Sequence, residues 1–317
     1  MNQDEDTVGV VVPMYNAERT IGSTLQSISN QTHKNLDIIV VDDGSTDGSA
    51  AVVKKWQARD QRVRLLHQAN CGVSIARNAG AAATAAQFLA FVDADDLWAP
   101  TKIECQMEAL LRGGASVGAV YCWYATIGLD DRVMTLGPQP MNEGWMLGQL
   151  CAHNMIGPGS TLLVRRSTFE ATGGYDANLH GGEDFLVCLR LAEHAEFRVV
   201  PRYLVGYRQM TDSLSTHSLR MFRSHCVVLL EYRARFPEYA SEIDAQLRDF
   251  RHWFGWAALR RHKWRDAAIL FGQGMMVHPR ATLPRLAIQV WMTLKGRLLR
   301  KLGFHQPYHP PYTETNW

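Results

Sequence analysis

Phe91-Val92-Asp93-Ala94-Asp95-Asp96 is the stretch whose reading decides the fold. The apolar run from Phe88 to Val92 stops abruptly at three carboxylates, Asp93, Asp95 and Asp96. A buried strand followed at once by clustered acids puts negative charge at the C-terminal edge of a sheet. In an open α/β sheet, that edge is where ligands bind. Carboxylates this close repel one another and cost stability unless a cation or hydrogen-bond donors compensate. Hard oxygen donors suit Mg²⁺ or Mn²⁺, and such ions bridge the phosphates of nucleotides. The stretch reads as a metal–nucleotide site; the competing reading is a solvated acidic turn, where Asp is common.

Outward from this stretch the same pattern repeats. Val8 to Val12 is a β-branched run of the buried, parallel type, ending at Pro13, and Met14-Tyr15-Asn16 forms the loop after it. Ile21, Leu25 and Ile28 recur at helical spacing, so a helix is predicted from Ala17. Leu36 to Val41 is a second strand and also ends in acids, Asp42-Asp43-Gly44-Ser45-Thr46-Asp47. A capped helix carrying Val52, Val53 and Trp56 follows, then a short strand from Val63 to Leu66, then an alanine-rich helix from Ala76 to Ala86. Strands alternating with helices predict a mostly parallel, doubly wound α/β sheet. Its rim gathers Asp42 and Asp43 with the later trio. Gly-x-Gly-x-x-Gly and Gly-x-x-x-x-Gly-Lys-Ser/Thr are both absent from the sequence, so dinucleotide-binding and P-loop readings lack their phosphate cradles.

Five segments then occur in order: Pro13-Met14-Tyr15-Asn16, Asp42-Asp43-Gly44-Ser45-Thr46-Asp47, Asn70-Cys71-Gly72, Ala76-Arg77-Asn78-Ala79-Gly80 and Asp93-Ala94-Asp95-Asp96. Together they closely resemble the family 2 glycosyltransferases, whose catalytic domain has the GT-A nucleotide-sugar-binding fold. The resemblance implies that Pro13, Tyr15 and Asp43 contact the nucleotide base and that Arg77 lies near the base or the phosphates. It implies an Asp-x-Asp motif of Asp93 and Asp95, with Asp95 on a Mn²⁺ or Mg²⁺ ion and Asp96 an alternative ligand.

In the middle of the chain, Thr101 to Leu111 reads as a helix, Val117 to Ala125 as a strand, and Trp145 to Leu150 as a short helix. Gly157-Pro158-Gly159-Ser160 precedes another apolar segment, Thr161 to Val164. Glu183-Asp184 opens a helix after Gly181-Gly182, where acids are favoured by the macrodipole alone. The resemblance gives the pair a second meaning, with Asp184 the catalytic base, Asp176 of Gly174-Tyr175-Asp176 the runner-up, and Glu183 orienting the site. Inverting transfer is a single displacement at the anomeric carbon, so one carboxylate suffices to deprotonate the acceptor hydroxyl. After the strand Val199 to Val205 comes Tyr207-Arg208-Gln209-Met210, where related sequences often carry His at the last position. Arg208 suits a diphosphate as a bidentate donor, whereas the Met210 thioether is a poor ligand for hard cations, and His217 is the nearest substitute.

At 317 residues, 46% hydrophobic and 20% charged, the chain is long enough for one large domain with an appendage. The expected organisation is a catalytic domain over 1–217 and a helical region over 218–317. Helical spacing runs through Leu219, Phe222, Cys226, Leu229 and Leu230, through Ile243 to Leu259, and through Trp264 to Val277 with a His262-Lys263 turn between the last two. The segment 283–302 is amphipathic, and Arg285, Lys295, Arg297, Arg300 and Lys301 are its only charges. That pattern fits peripheral contact with an anionic membrane or packing on the catalytic domain. A net charge of +2 makes no case for nucleic acid. Six cysteines without a Cys-x-x-Cys pair indicate neither a zinc site nor a disulfide framework. With no apolar run of ~18 residues and no signal-peptide pattern, the expected setting is the cytoplasm, at most peripheral on the inner membrane face. The expected activity is transfer from a nucleotide-diphosphate sugar, UDP-linked by preference, to a glycan or lipid-linked saccharide hydroxyl in bacterial surface polysaccharide synthesis. Two alternatives are a sugar-phosphate nucleotidyltransferase, disfavoured because Pro13 to Thr20 contains no glycine and only Arg19 as a base, and a non-catalytic binding module.

Overall fold

A computed structural model describes residues 6–209 and 218–277. The chain divides into two compact units between Met210 and Thr211.

In the first unit the predicted β-branched runs become strands because they are buried on both faces. The elements run β1 (Val8–Met14), α1 (Ile21–Ser29), β2 (Leu36–Asp43), α2 (Ser49–Gln57), β3 (Val63–Gln68), α3 (Val73–Ala82), β4 (Phe88–Phe91) and β5 (Leu97–Trp98). Then follow α4 (Lys102–Arg112), β6 (Val117–Ile127), β7 (Val133–Leu136), α5 (Leu147–Ala152), a 3₁₀ turn over Gly159–Thr161, β8 (Leu163–Arg165), α6 (Arg166–Ala171), α7 (Glu183–His194) and β9 (Glu196–Arg208). One sheet has the order β3-β2-β1-β4-β8-β6-β9-β5, with β7 paired to β6. From β3 to β4 every pairing is parallel, as the strand–helix alternation predicts. Beyond β4 the sheet becomes mixed, because β8 runs antiparallel to both β4 and β6 while β6 and β9 are parallel. An apolar run such as Thr161 to Val164 carries no sign of direction, so that reversal was not foreseeable.

Helix α1 starts at Ile21 rather than Ala17, because the intervening residues are tied to the loop after β2. The Asn16 amide donates to Ser45 Oγ and the Thr46 amide to Asn16 Oδ1, at 3.0 and 2.8 Å. Glu18 N–H donates to Asp47 Oδ2 while Glu18 Oε2 accepts from Gly48 N–H, both at 3.1 Å. Helix α3 is displaced in register from the alanine run, beginning after Gly72, whose φ of +94° favours glycine. The core of this unit is assembled from Val10, Val12, Ile21, Leu25, Ile38, Val40, Phe88 and Trp98, among others.

The second unit contains α8 (Ser218–Arg235), α9 (Ala240–Arg260) and α10 (Trp264–Val277), with a 3₁₀ turn over Pro237–Tyr239. Phe222, Phe254 and Leu270 form its core, and His225 stands edge-on to Phe250 with centroids 4.8 Å apart. His262 takes a φ of +58° in the tight turn between α9 and α10. Among the described residues no helix is long and apolar enough to cross a membrane. Met210, His217 and the amphipathic segment 283–302 lie outside the described residues.

Candidate active site

Three separate stretches of sequence converge on one guanidinium. Arg77 projects from α3 and is almost wholly buried, at 2% exposure. Its Nη2 donates to Asp93 Oδ1 at 2.7 Å and its Nη1 to Asp184 Oδ1 at 2.8 Å, with Glu183 Oε1 at 3.5 Å from Nη1. The guanidinium lies over the Tyr175 ring, 4.8 Å from its centroid. Tyr175 meets Phe91 edge-on at 5.1 Å, so the ring wedges between the end of β4 and the arginine. Asn78, the next residue of α3, fixes Tyr175 by two backbone bonds, accepting from its N–H at 2.9 Å and donating to its carbonyl at 2.8 Å.

The electrostatics follow from this burial. Burial opposes the charge of Arg77, but Asp184 and Asp93 hold it firmly protonated, with a pKa raised well above its ordinary value. Burial pushes the Asp184 carboxyl up to about 7; Arg77 pulls against that shift, while Glu183 and Asp93 add repulsion. Asp184 sits in the first turn of α7, and its Oδ2 accepts from the Gly159 amide at 3.1 Å.

The acidic turn closes with the Asp96 amide donating to the Asp93 carbonyl at 3.0 Å. Its three carboxylates have different surroundings. Asp93 remains 29% exposed and faces Arg77. Asp95 is pushed up to about 6, chiefly by burial and then by the Asp93 charge. Asp96 is fully buried, and its oxygens accept from Ser160 Oγ at 2.5 Å and from the Arg208 amide at 2.9 Å. Arg208, at the end of β9, donates from Nε to the Asp95 carbonyl at 2.7 Å. Its Nη1 reaches the Gly128 carbonyl and Asp131 Oδ1 at 2.7 and 2.6 Å, and its buried Nη2 has no hydrogen-bond partner among the described residues.

The remaining expected site residues have distinct places. Pro13 is buried within β1, while Tyr15 just beyond it is 52% exposed. Asp43, at the last position of β2, accepts from Gln68 Nε2 and the Cys71 amide at 2.8 and 2.9 Å and from the Gly72 amide at 2.8 Å. Those bonds hold the 70–72 loop against the rim. Asp176 pairs with Arg190 at 3.4 Å and caps the Asn178 amide at 2.9 Å; it is not among the partners of Arg77. Sequence reading passed over Ser160 and Asn78 as chemistry-bearing residues. The only available signals were the run Gly157-Pro158-Gly159-Ser160 and the polar pair after Ala76.

The family model described as "Glycosyl transferase family 2" matches residues 9–172, from β1 into the segment after α6. The chain belongs to glycosyl transferase family 2. The match ends before Asp184 and Arg208. Over 129 residues the chain is 38% identical to "Uncharacterized glycosyltransferase YibD" of Escherichia coli, covering 40% of the chain and 38% of that protein. It is 34% identical over 105 residues to "Putative teichuronic acid biosynthesis glycosyltransferase TuaG" of Bacillus subtilis, covering 33% of the chain and 42% of that protein. The matches therefore span less than half of either relative's length. Two solved structures share its fold. S. aureus TarS 1-349, in complex with UDP-GlcNAc, superposes with a TM-score of 0.61 at 18% identity, covering 87% of this chain and 82% of that one. The mannosyltransferase PcManGT of Pyrobaculum calidifontis, in complex with GDP-Man and Mn²⁺, gives 0.61 at 19% identity, covering 91% and 80%.

A divalent cation, as bound by that mannosyltransferase, fits the donor set in part. Asp93 and Asp95 are adjacent hard-oxygen donors whose mutual repulsion a cation relieves. Asp96 is different, since both its oxygens serve the interior. Among the described residues no three acidic, histidine or cysteine side chains converge as a complete ligand set.

Proposed function

We propose that this family 2 glycosyltransferase catalyses inverting transfer from a nucleotide-diphosphate sugar to a saccharide hydroxyl. The observation that carries the reading is the Arg77 bridge. One guanidinium joins Asp93 of the acidic turn to Asp184 at the start of α7, at 2.7 and 2.8 Å. That spacing supports the reading, because a single displacement needs the acceptor's base and the donor's diphosphate close to one another.

Asp184 is the base that takes the acceptor proton as the hydroxyl attacks the anomeric carbon. Its pKa of about 7 suits that task, since a base is most effective when its pKa lies near the working pH. Arg77 keeps Asp184 aimed and is itself steadied by Glu183 and the Tyr175 ring. Asp93 and Asp95 would hold Mn²⁺ or Mg²⁺, with diphosphate and water completing the shell. Such an ion supplies neutralisation of charge developing on the departing nucleoside diphosphate. Arg208 would supply the positive charge for that diphosphate, through Nη2, which is buried and has no partner among the described residues. Pro13, Tyr15 and Asp43 form the rim for the base. A UDP-sugar is the preferred donor, by analogy with the UDP-GlcNAc complex of TarS, with GDP-sugars next. The acceptor is a glycan or lipid-linked saccharide of bacterial surface polysaccharide synthesis; the relative TuaG carries the name of a putative teichuronic acid biosynthesis glycosyltransferase.

The test is release of nucleoside diphosphate from a panel of nucleotide sugars with Mn²⁺. Asp184→Asn is expected to bind donor normally and lose transfer by ~10²–10⁴-fold, the usual contribution of a general base. Asp95→Ala is expected to weaken metal-dependent donor binding itself. Wild-type transfer by Asp184→Asn rules out the base assignment.

A further inference from the structure

Resting on that reading, we propose that the short turn Gly159-Ser160 is the shared mount of the site, with Gly159 positioning Asp184 and Ser160 positioning the acidic turn. Three independent contacts carry it. The Gly159 amide donates to Asp184 Oδ2 at 3.1 Å. The Ser160 hydroxyl donates to Asp96 Oδ2 at 2.5 Å and accepts from the Asp93 amide at 3.1 Å, pinning both ends of the Asp93–Asp96 turn with one oxygen. A Cβ at residue 159 would stand 2.6 Å from Asp184 Oδ1, so any side chain there has to displace that carboxylate. The separation of Asp93 from Asp184 is therefore set twice, by the Arg77 guanidinium and by two consecutive residues, through the Gly159 amide and the Ser160 hydroxyl.

A mount is useful only if it is rigid, and this one is held from beneath. Trp98 Nε1 donates to the Ser160 carbonyl at 3.0 Å, and Gln106 Nε2 donates to the Thr161 carbonyl at 2.7 Å. Gln106 is oriented in turn by Lys102 Nζ, which donates to its Oε1 at 2.7 Å and lies 4.0 Å from the centre of the Trp98 ring. Trp98, Lys102 and Gln106 are completely buried. A buried lysine without a carboxylate partner is costly. The placement beneath this turn gives Lys102 a purpose, since its ammonium satisfies Gln106 and lies against Trp98, the two residues that grip the mount. Polar networks of this kind rigidify when every member is satisfied.

The consequence is that two adjacent substitutions separate the two halves of the reaction. Gly159→Ala displaces the base, so kcat is expected to fall by ~100-fold, as for a misplacement of about 1 Å, with Mn²⁺-dependent UDP affinity within about twofold of wild type. Ser160→Ala removes two buried hydrogen bonds from the acidic turn, those to Asp96 Oδ2 and from the Asp93 amide, so UDP affinity in Mn²⁺ is expected to weaken by about tenfold or more, while kcat at saturating donor changes far less. Ser160→Cys, which keeps the size and a weak donor, is expected to lie between. Calorimetric titration with UDP and Mn²⁺, beside steady-state kinetics, reads both effects, and circular dichroism checks folding. If the two variants lose kcat and affinity in the same proportion, the division of labour is wrong. Amide hydrogen exchange of the wild-type protein gives a readout independent of variants and of activity. The Asp93 amide should be protected well beyond the Ala94 amide, and equal, rapid exchange at both overturns the mount. Failure of the wild-type protein to release nucleoside diphosphate from any donor would instead count against the transferase reading, leaving the exchange result to stand.

Discussion

At the scale of single residues, the site is a problem of too many carboxylates. Asp93, Glu183 and Asp184 surround one arginine, and Asp184 is pushed up to about 7 by burial despite that arginine. Base catalysis needs the ionised form, so kcat/KM, which reports the free enzyme, is expected to rise as pH rises through about 7 and then level off. The stability contribution has the opposite sign. Because the folded pKa of Asp184 lies above its unfolded value of 3.8, the unfolded state binds fewer protons between about 4 and about 7. The contribution of this carboxyl is fully present below that window and is lost as pH rises through it. Thermal unfolding of Asp184→Asn against wild type, at several pH values across the window, measures the difference. The variant should gain relative stability towards pH 7. The presence of Asp184 near a helix start was plain in the sequence. Its partner was not, because residues 77 and 184 are joined only by folding.

At the scale of elements, α3 shows how one helical segment divides its work. Ala76 and Gly80, four apart, face the sheet: Ala76 packs with Ile39 and Val41, and a Cβ on Gly80 would lie 2.4 Å from Val11 Cγ1. Arg77 and Asn78 point instead to Asp93, Asp184 and Tyr175. The motif Ala-Arg-Asn-Ala-Gly is thus a packing face and a polar face wound together. Gly80→Val is expected to cost about 1–3 kcal/mol by overpacking, measured as a lowered urea midpoint. It should also reduce transfer, since a tilted α3 carries Arg77 with it. Strand β9 shows the limit of periodicity. Its apolar run predicts a strand from Val199 to Val205, whereas the observed strand extends from Glu196 to Arg208 because β6 pairs along its whole length. Pairing, which no local pattern reports, puts Arg208 beside Asp95 and Asp96.

At the scale of the whole molecule, the two units have separate cores, one around the sheet and one around Phe222, Phe254 and Leu270. Phe254→Ala is expected to destabilise α8, α9 and α10 by ~3–5 kcal/mol, the range for truncating a buried aromatic. Hydrogen exchange should show that loss in helical amides, with β1, β2 and β4 still protected. By itself, the sequence determined which segments are strands and helices in the first half, that their ends carry acids, and that the family is glycosyl transferase family 2. Those properties are local, written in apolar period and in short motifs within a few residues of one another. Only tertiary structure decided that the sheet turns mixed after β4, that Asp96 faces inward while Asp93 meets Arg77, and that Gly159 and Ser160 grip both halves of the site. Each of those depends on groups far apart in the chain, and their energies arise from burial and hydrogen bonds that exist only once the fold has closed.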